Sequence, residues 1–245
     1  MRLDAEKKDK TQMCGRFYLT FFPDAEHLFE ELFGIPFPEF GDPPILSDDI
    51  LPFSEITTIQ GRNGERPLVR TMFWNLVPYY EKEFKPRHTW FNIRKEKLTQ
   101  PYNKQLVQRR RCIVPVSGFL ENKEVNGKPV FHSRKIGGKT VRKKESYAFR
   151  HKVQPLMALG AIYDTWNKDE QGPRYSCSII TLEPNPLIAA IHPRMPFILP
   201  REKIRLWLDP AVDDFDFLFD LIEPFPESEL RQTQRWPGEA EQGRF

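Results

Sequence analysis

The chain has 245 residues, of which 39% are hydrophobic and 29% charged, with a formal net charge of +3. This balance describes a soluble globular protein able to bury a sizeable core, as one large domain or two small ones. Its three cysteines, Cys14, Cys112 and Cys177, have no paired spacing, which excludes a disulfide framework or zinc site and predicts reduced thiols in a cytoplasmic (nucleoid-associated) or nuclear setting.

Residues 1–12 are polar, charged and without periodicity, and are expected to form a disordered leader that, with Met13, is absent from the mature protein or removed. Pro23 and Asp24 then open a short helix whose Ala25, Leu28, Phe29, Leu32 and Phe33 share one face, closed by Gly34. The prolines at 36, 38, 43, 44 and 52 preclude a long element over residues 35–55. Strand-like runs follow at Arg66–Leu76, Cys112–Leu120, Pro155–Tyr163 and Tyr175–Leu182, rich in β-branched or aromatic residues. A helix is expected over Arg201–Leu208, between Pro200 and Pro210, and another over Asp213–Ile222. The predicted fold is α+β: one domain over residues 14–225 with a curved, mainly antiparallel, barrel-like sheet and a few short helices, then a polar tail over 226–245. No run of about 18 apolar residues is present, so no membrane span is expected.

Charge is uneven. Residues 123–152 hold ten Lys/Arg against Glu124 and Glu145, whereas residues 209–229 hold eight Asp/Glu and no cation. The basic stretch is either a polyanion-binding surface or a solvated charged loop. Several polar groups stand in apolar surroundings. Glu121 ends the run from Cys112 and is either a solvent-facing strand end or a carboxylate held in a pocket. His192 is either a buried structural histidine or an acid–base group. Asn92 and Arg94, after Trp90-Phe91, occupy either a turn or a site.

Together these segments resemble one family. Met13-Cys14-Gly15-Arg16-Phe17 is similar to the start of the SOS-response-associated peptidase (SRAP) family, whose members shield abasic sites in single-stranded DNA. Phe73-Trp74-Asn75-Leu76-Val77-Pro78, Asn92-Ile93-Arg94-Lys95-Glu96, Arg111-Cys112 through Gly118-Phe119-Leu120-Glu121, and Ile191-His192-Pro193-Arg194-Met195-Pro196 resemble its further motifs in order. Asn75 stands where the family has Gly, and Asn122 where it has Trp. The family's Tyr-Asn-Ile-Ala-Pro segment and its C-terminal Val-Asn motif have no clear counterpart.

The resemblance implies a monomeric protein that needs no cofactor or metal, has no membrane partner, and cross-links to abasic sites in single-stranded DNA through an N-terminal Cys14. It implies catalytic roles for Cys14, Asn92, Glu121 and His192. Arg16, Trp74, Arg94 and Arg194 would contact DNA, with Trp74 either stacking on a base or forming an apolar wall. Because residues precede Cys14, three readings stand: initiation at Met13 with methionine removal, self-cleavage by the Cys14 thiol, or loss of activity. A thiol (auto)peptidase using Cys14 and His192, and a non-catalytic single-stranded-DNA-binding module, are the competing functions.

Overall fold

The computed structural model describes residues 15–235; Cys14 and the leader lie outside the described residues, as do residues 236–245. In chain order the elements are β1 (Phe17–Leu19), α1 (Glu26–Phe33), β2 (Glu39–Phe40), β3 (Ser47–Ile50), β4 (Glu55–Gln60), β5 (Leu68–Trp74), β6 (Asn92–Arg94), α2 (Pro101–Arg109), β7 (Arg111–Val116) and β8 (Gly118–Asn122). They continue with β9 (Glu124–Val125), β10 (Lys128–Pro129), β11 (Phe131–Ile136), β12 (Lys139–Lys144), β13 (Ser146–His151), β14 (Met157–Trp166) and β15 (Arg174–Leu182). The last are α3 (Pro186–Ala189), β16 (Met195–Pro196), β17 (Ile198–Leu199), α4 (Arg201–Leu208), α5 (Phe215–Asp220) and β18 (Leu230–Arg235).

The central feature is a closed ring. β15 pairs with β14, β14 with β7, β7 with β4, and β4 with β5, all antiparallel, and β5 returns to β15 in parallel register through Phe73↔Ser176 and Trp74↔Cys177. Closure leaves these strands without free edges and buries their inward residues. On both faces of these strands the apolar residues are covered: Ile56, Ile59, Met72, Cys112, Ile113, Val114, Ala161, Ile162 and Ile180 are all fully buried. The expected barrel-like α+β fold is therefore the observed one.

A second sheet, β18-β13-β8-β1-β3, lies beside the ring. The run from Cys112, expected as one strand, breaks at Ser117, which passes the chain from the ring into this sheet. Ser117 accepts from the Thr20 N–H at 3.1 Å and donates its own N–H to Tyr18 O at 2.8 Å, fixing the crossover. Gly118 is required there, since a Cβ would meet the Tyr18 hydroxyl oxygen at 2.2 Å and the Phe149 carbonyl at 2.8 Å.

The helix ending at Gly34 is present, with Gly34 at φ 66 donating to Glu30 O, and α4 spans the expected residues. α2 and β4 were not expected. The basic stretch contains a regular hairpin, β11–β12, with six paired positions, in place of the irregular loop that its glycines and charges suggest. Residues 230–235, expected in the tail, instead form the edge strand β18 through pairing with β13. Only Leu230 of that strand is buried, so its sequence lacks a hydrophobic signal.

Candidate active site

The candidate site is built on β8 and the α3–β16 connection, to which the turn after β6 is joined through Arg194 and Glu96. Glu121, the fourth residue of β8, is 4% exposed, and His192 is 1% exposed. Glu121 Oε2 and His192 Nδ1 are 3.9 Å apart. A carboxylate and an imidazole so close and so shielded from water can hold and move protons.

His192 is fixed from its backbone outward. Asn185 caps α3 by accepting from the Ile188 N–H at 3.0 Å and anchors the segment by donating to Phe225 O at 2.7 Å. The His192 N–H donates to Ile188 O at 2.8 Å, while Nδ1 lies 2.9 Å from Arg194 O and 3.2 Å from Arg194 N. The Glu124 N–H donates to Ile191 O at 2.9 Å and ties the chain following Glu121 to the histidine segment.

Asn92 is 4% exposed and opens β6, which runs parallel to β15 with Asn92 opposite Ile179. β15 also pairs with β16, its Leu182 opposite Met195, so Asn92 and the histidine segment share β15 as a common support. Arg194 adds a direct brace. Its guanidinium donates to both oxygens of Glu96, at 2.9 and 3.0 Å, and to Thr181 O at 2.7 Å. Burial alone would raise the Glu96 carboxyl, but the Arg194 hydrogen bonds and nearby positive charge bring it below its ordinary value.

The remaining residues named from the sequence are dispersed. Arg16 forms a two-pronged pair with Asp49 at 2.5 and 2.9 Å on a half-exposed surface. Trp74 is 1% exposed, donates its indole N–H to Phe91 O at 2.8 Å and packs on Phe17, so it is a wall rather than a stacking surface. Arg94 is half-buried and lines a cavity shared with Asn92. The Leu120 N–H donates to Arg16 O at 2.8 Å, which sets the start of β1 alongside Glu121. Cys14, bonded to Gly15, lies outside the described residues.

Both substitutions relative to the family pattern find partners. Asn75 is fully buried, donates to His88 O at 3.1 Å and accepts from the Trp90 N–H at 2.7 Å, so its side chain binds the 88–90 segment. Asn122 accepts from the Ser146 hydroxyl at 2.7 Å across the strand pair.

Glu96 and Arg111 hold parts of the chain together that their sequence surroundings do not signal. Arg111 donates to five carbonyls, those of Val107, Gln108, Trp207, Asp209 and Val212, where α2 and α4 end. It satisfies helix-terminal acceptors with a cation in place of water. Burial pulls its pKa down to about 10, opposed by Asp209 and Asp213. Among the described residues no group of His, Cys, Asp and Glu is arranged to hold a metal, and no helix is long and apolar enough to cross a membrane.

Residues 13–234 match the family described as SOS response associated peptidase (SRAP). The chain is 33% identical over 226 residues to the abasic site processing protein YoqW of Bacillus subtilis, covering 91% of this chain and 92% of that protein. It is 29% identical over 197 residues to the abasic site processing protein HMCES of Gallus gallus, covering 76% of this chain and 58% of that longer protein. A crystal structure of a Bordetella bronchiseptica protein shares the fold with a TM-score of 0.70 at 16% identity, covering 91% of this chain and 100% of that one. Another, from Bacteroides thetaiotaomicron, superposes with a TM-score of 0.64 at 22% identity over 78% of each chain.

Proposed function

This chain belongs to the SOS response associated peptidase (SRAP) family, and from that premise we propose that it processes abasic sites in DNA by forming a covalent thiazolidine link through Cys14. The observation that carries the reading is the buried Glu121–His192 pair, 3.9 Å apart, beside the point where the chain enters β1. Such a pair gives a nearby amine and sugar a place to exchange protons away from bulk water.

An N-terminal cysteine offers an α-amine titrating near ~8 and a thiol near ~8.5, so both are partly reactive at neutral pH. The open abasic sugar is an aldehyde. The amine adds to its carbonyl carbon, and loss of water leaves an imine. The thiol sulfur then bonds to the imine carbon, the nitrogen takes up the proton, and a five-membered ring closes. Glu121 accepts the proton that the amine must lose, and His192 delivers one to the ring oxygen as the sugar opens. Asn92 orients the aldehyde oxygen or the amine. Arg16 and Arg94 neutralise phosphates beside the lesion in a single strand. Arg194, engaged by Glu96, acts by positioning His192.

An internal cysteine has no free amine, so the link requires that nothing precede Cys14. Initiation at Met13 with methionine removal meets that condition, as does attack of the Cys14 thiol on the preceding carbonyl, which accords with the word peptidase in the family's description. The test is a denaturing gel of the protein mixed with single-stranded DNA bearing one abasic site. The expected result is a retarded, denaturation-resistant band that Cys14→Ser abolishes. An equal band from that variant overturns the proposal.

A further inference from the structure

Next to Asn92 the structure holds an unassigned cavity of about 630 Å³, bounded by the 76–80 loop, β6, β15 and the first turn of α2. Its size lies within the range of small-ligand sites, and its walls combine flat aromatic faces with a few polar groups. Trp90, Tyr80 and Tyr102 all line it, the two tyrosine rings lying 5.5 Å from each other. Trp90 is held in place. Its N–H donates to Asn75, its carbonyl accepts from the Leu76 N–H at 3.2 Å, and the His88 ring stacks on it at 5.3 Å. Tyr102 is likewise fixed by its hydroxyl, which donates to the buried Asp164 at 2.5 Å.

The polar equipment is of mixed character. Ser178 is fully buried and lines the cavity, and among the described residues its hydroxyl oxygen has no hydrogen-bond partner. A buried hydroxyl left so is costly unless something else binds it. Gln100 and Asn103 add amides; the Asn103 nitrogen donates to Lys97 O at 2.9 Å and to Gln100 Oε1 at 3.4 Å, which leaves the Asn103 oxygen and the Gln100 nitrogen for a ligand. Arg94 and Lys97 add positive charge.

We propose that this cavity receives one nucleobase of the DNA strand, that of a nucleotide adjoining the lesion, with Arg94 and Lys97 neutralising its phosphate. The inference rests on the abasic-site reading above and deepens it. The lesion itself has no base with which to fill the space, and Asn92 belongs to both the cavity and the proposed reaction site, so the neighbouring nucleotide is the one within reach. Stacking on Trp90 supplies affinity for any base, and the Ser178 hydroxyl, the Gln100 nitrogen and the Asn103 oxygen read its edge.

The test uses equilibrium binding by fluorescence anisotropy, with strands carrying the unreactive tetrahydrofuran analogue at the lesion so that no chemistry is needed. Each flanking nucleotide is in turn replaced by a second tetrahydrofuran. The expected result is that removing the base on one side weakens binding about tenfold, as for loss of one stacked base, whereas removing the other does not. Trp90→Ala is expected to abolish that difference and Trp90→Phe to retain it. The proposal is overturned if neither flanking base matters, or if Trp90→Ala weakens all strands equally. Base-dependent binding without any adduct on a reactive strand would uphold the cavity's role and sink the cross-linking reading. An adduct formed without base dependence would do the reverse.

Discussion

Arg194 and Glu96 form a two-pronged ion pair, at 2.9 and 3.0 Å, that joins the segment carrying His192 to the turn following Asn92. Two motifs far apart in the sequence are thereby one mechanical unit. Only the planar guanidinium matches a carboxylate with two parallel bonds while also reaching the Thr181 carbonyl.

Arg194→Gln removes this brace. The account predicts a stability loss of about 2 kcal/mol in urea unfolding, because the Thr181 carbonyl loses its partner while the half-exposed Glu96 returns to water. It also predicts an unchanged slope of log affinity for single-stranded DNA against log salt. A slope reduced by about one would identify Arg194 as a phosphate ligand instead.

The same pair sets a pH dependence. The folded Glu96 pKa lies below its unfolded value, so its contribution is fully present above the ordinary carboxylate range and is lost as pH falls through the lowered value. Thermal unfolding of the wild type and Glu96→Gln, followed from about pH 7 to about pH 3, should show a gap in Tm that narrows on acidification. A constant gap contradicts the assignment.

Gly118→Ala tests the crossover that delivers Glu121. The added methyl would overlap the Tyr18 ring and the Phe149 carbonyl, and neither yields without moving a strand. A loss of about 3 kcal/mol in chemical denaturation is expected, along with weakened adduct formation. A variant as stable as the wild type would contradict this geometry.

Arg111→Met leaves carbonyl groups at the ends of α2 and α4 without their donor. The expected cost is about 3 kcal/mol, measured by urea midpoint at constant m-value. A methionine variant that matches wild type would show that water replaces the guanidinium freely.

Elements with a clean hydrophobic pattern were legible. The face of α1, the span of α4 and the ring strands β14 and β15 follow from apolar periodicity bounded by Gly or Pro. α2 was not legible, since Pro101–Arg109 buries only Asn103, Leu106 and Val107 and is otherwise polar. The hairpin β11–β12 is held by backbone bonds and exposes charged side chains, so its composition resembles a loop. Ser117 ends one strand through hydrogen bonds to Tyr18 and Thr20, residues far away in sequence.

Within the site, Glu121 and His192 each stood as one polar residue in an apolar run, a pattern equally suited to a structural role. Their pairing depends on tertiary approach, and only the family resemblance drew them together beforehand. Glu96 and Arg111 gave little local signal because Arg194, the partner of Glu96, and three of the carbonyls that Arg111 binds, those of Trp207, Asp209 and Val212, come from the last third of the chain. Asn75 was legible as a departure but not as a brace, since its bonds to residues 88 and 90 cross a proline-containing loop.

The central claim is tested most directly by intact-mass measurement after mixing the protein with single-stranded DNA bearing one abasic site. The account predicts a species equal to the chain beginning at Cys14 plus the oligonucleotide less one water, and its loss with Glu121→Gln or Cys14→Ser. An adduct on a chain that still carries residues before Cys14, or no adduct on a chain that begins there, would contradict it.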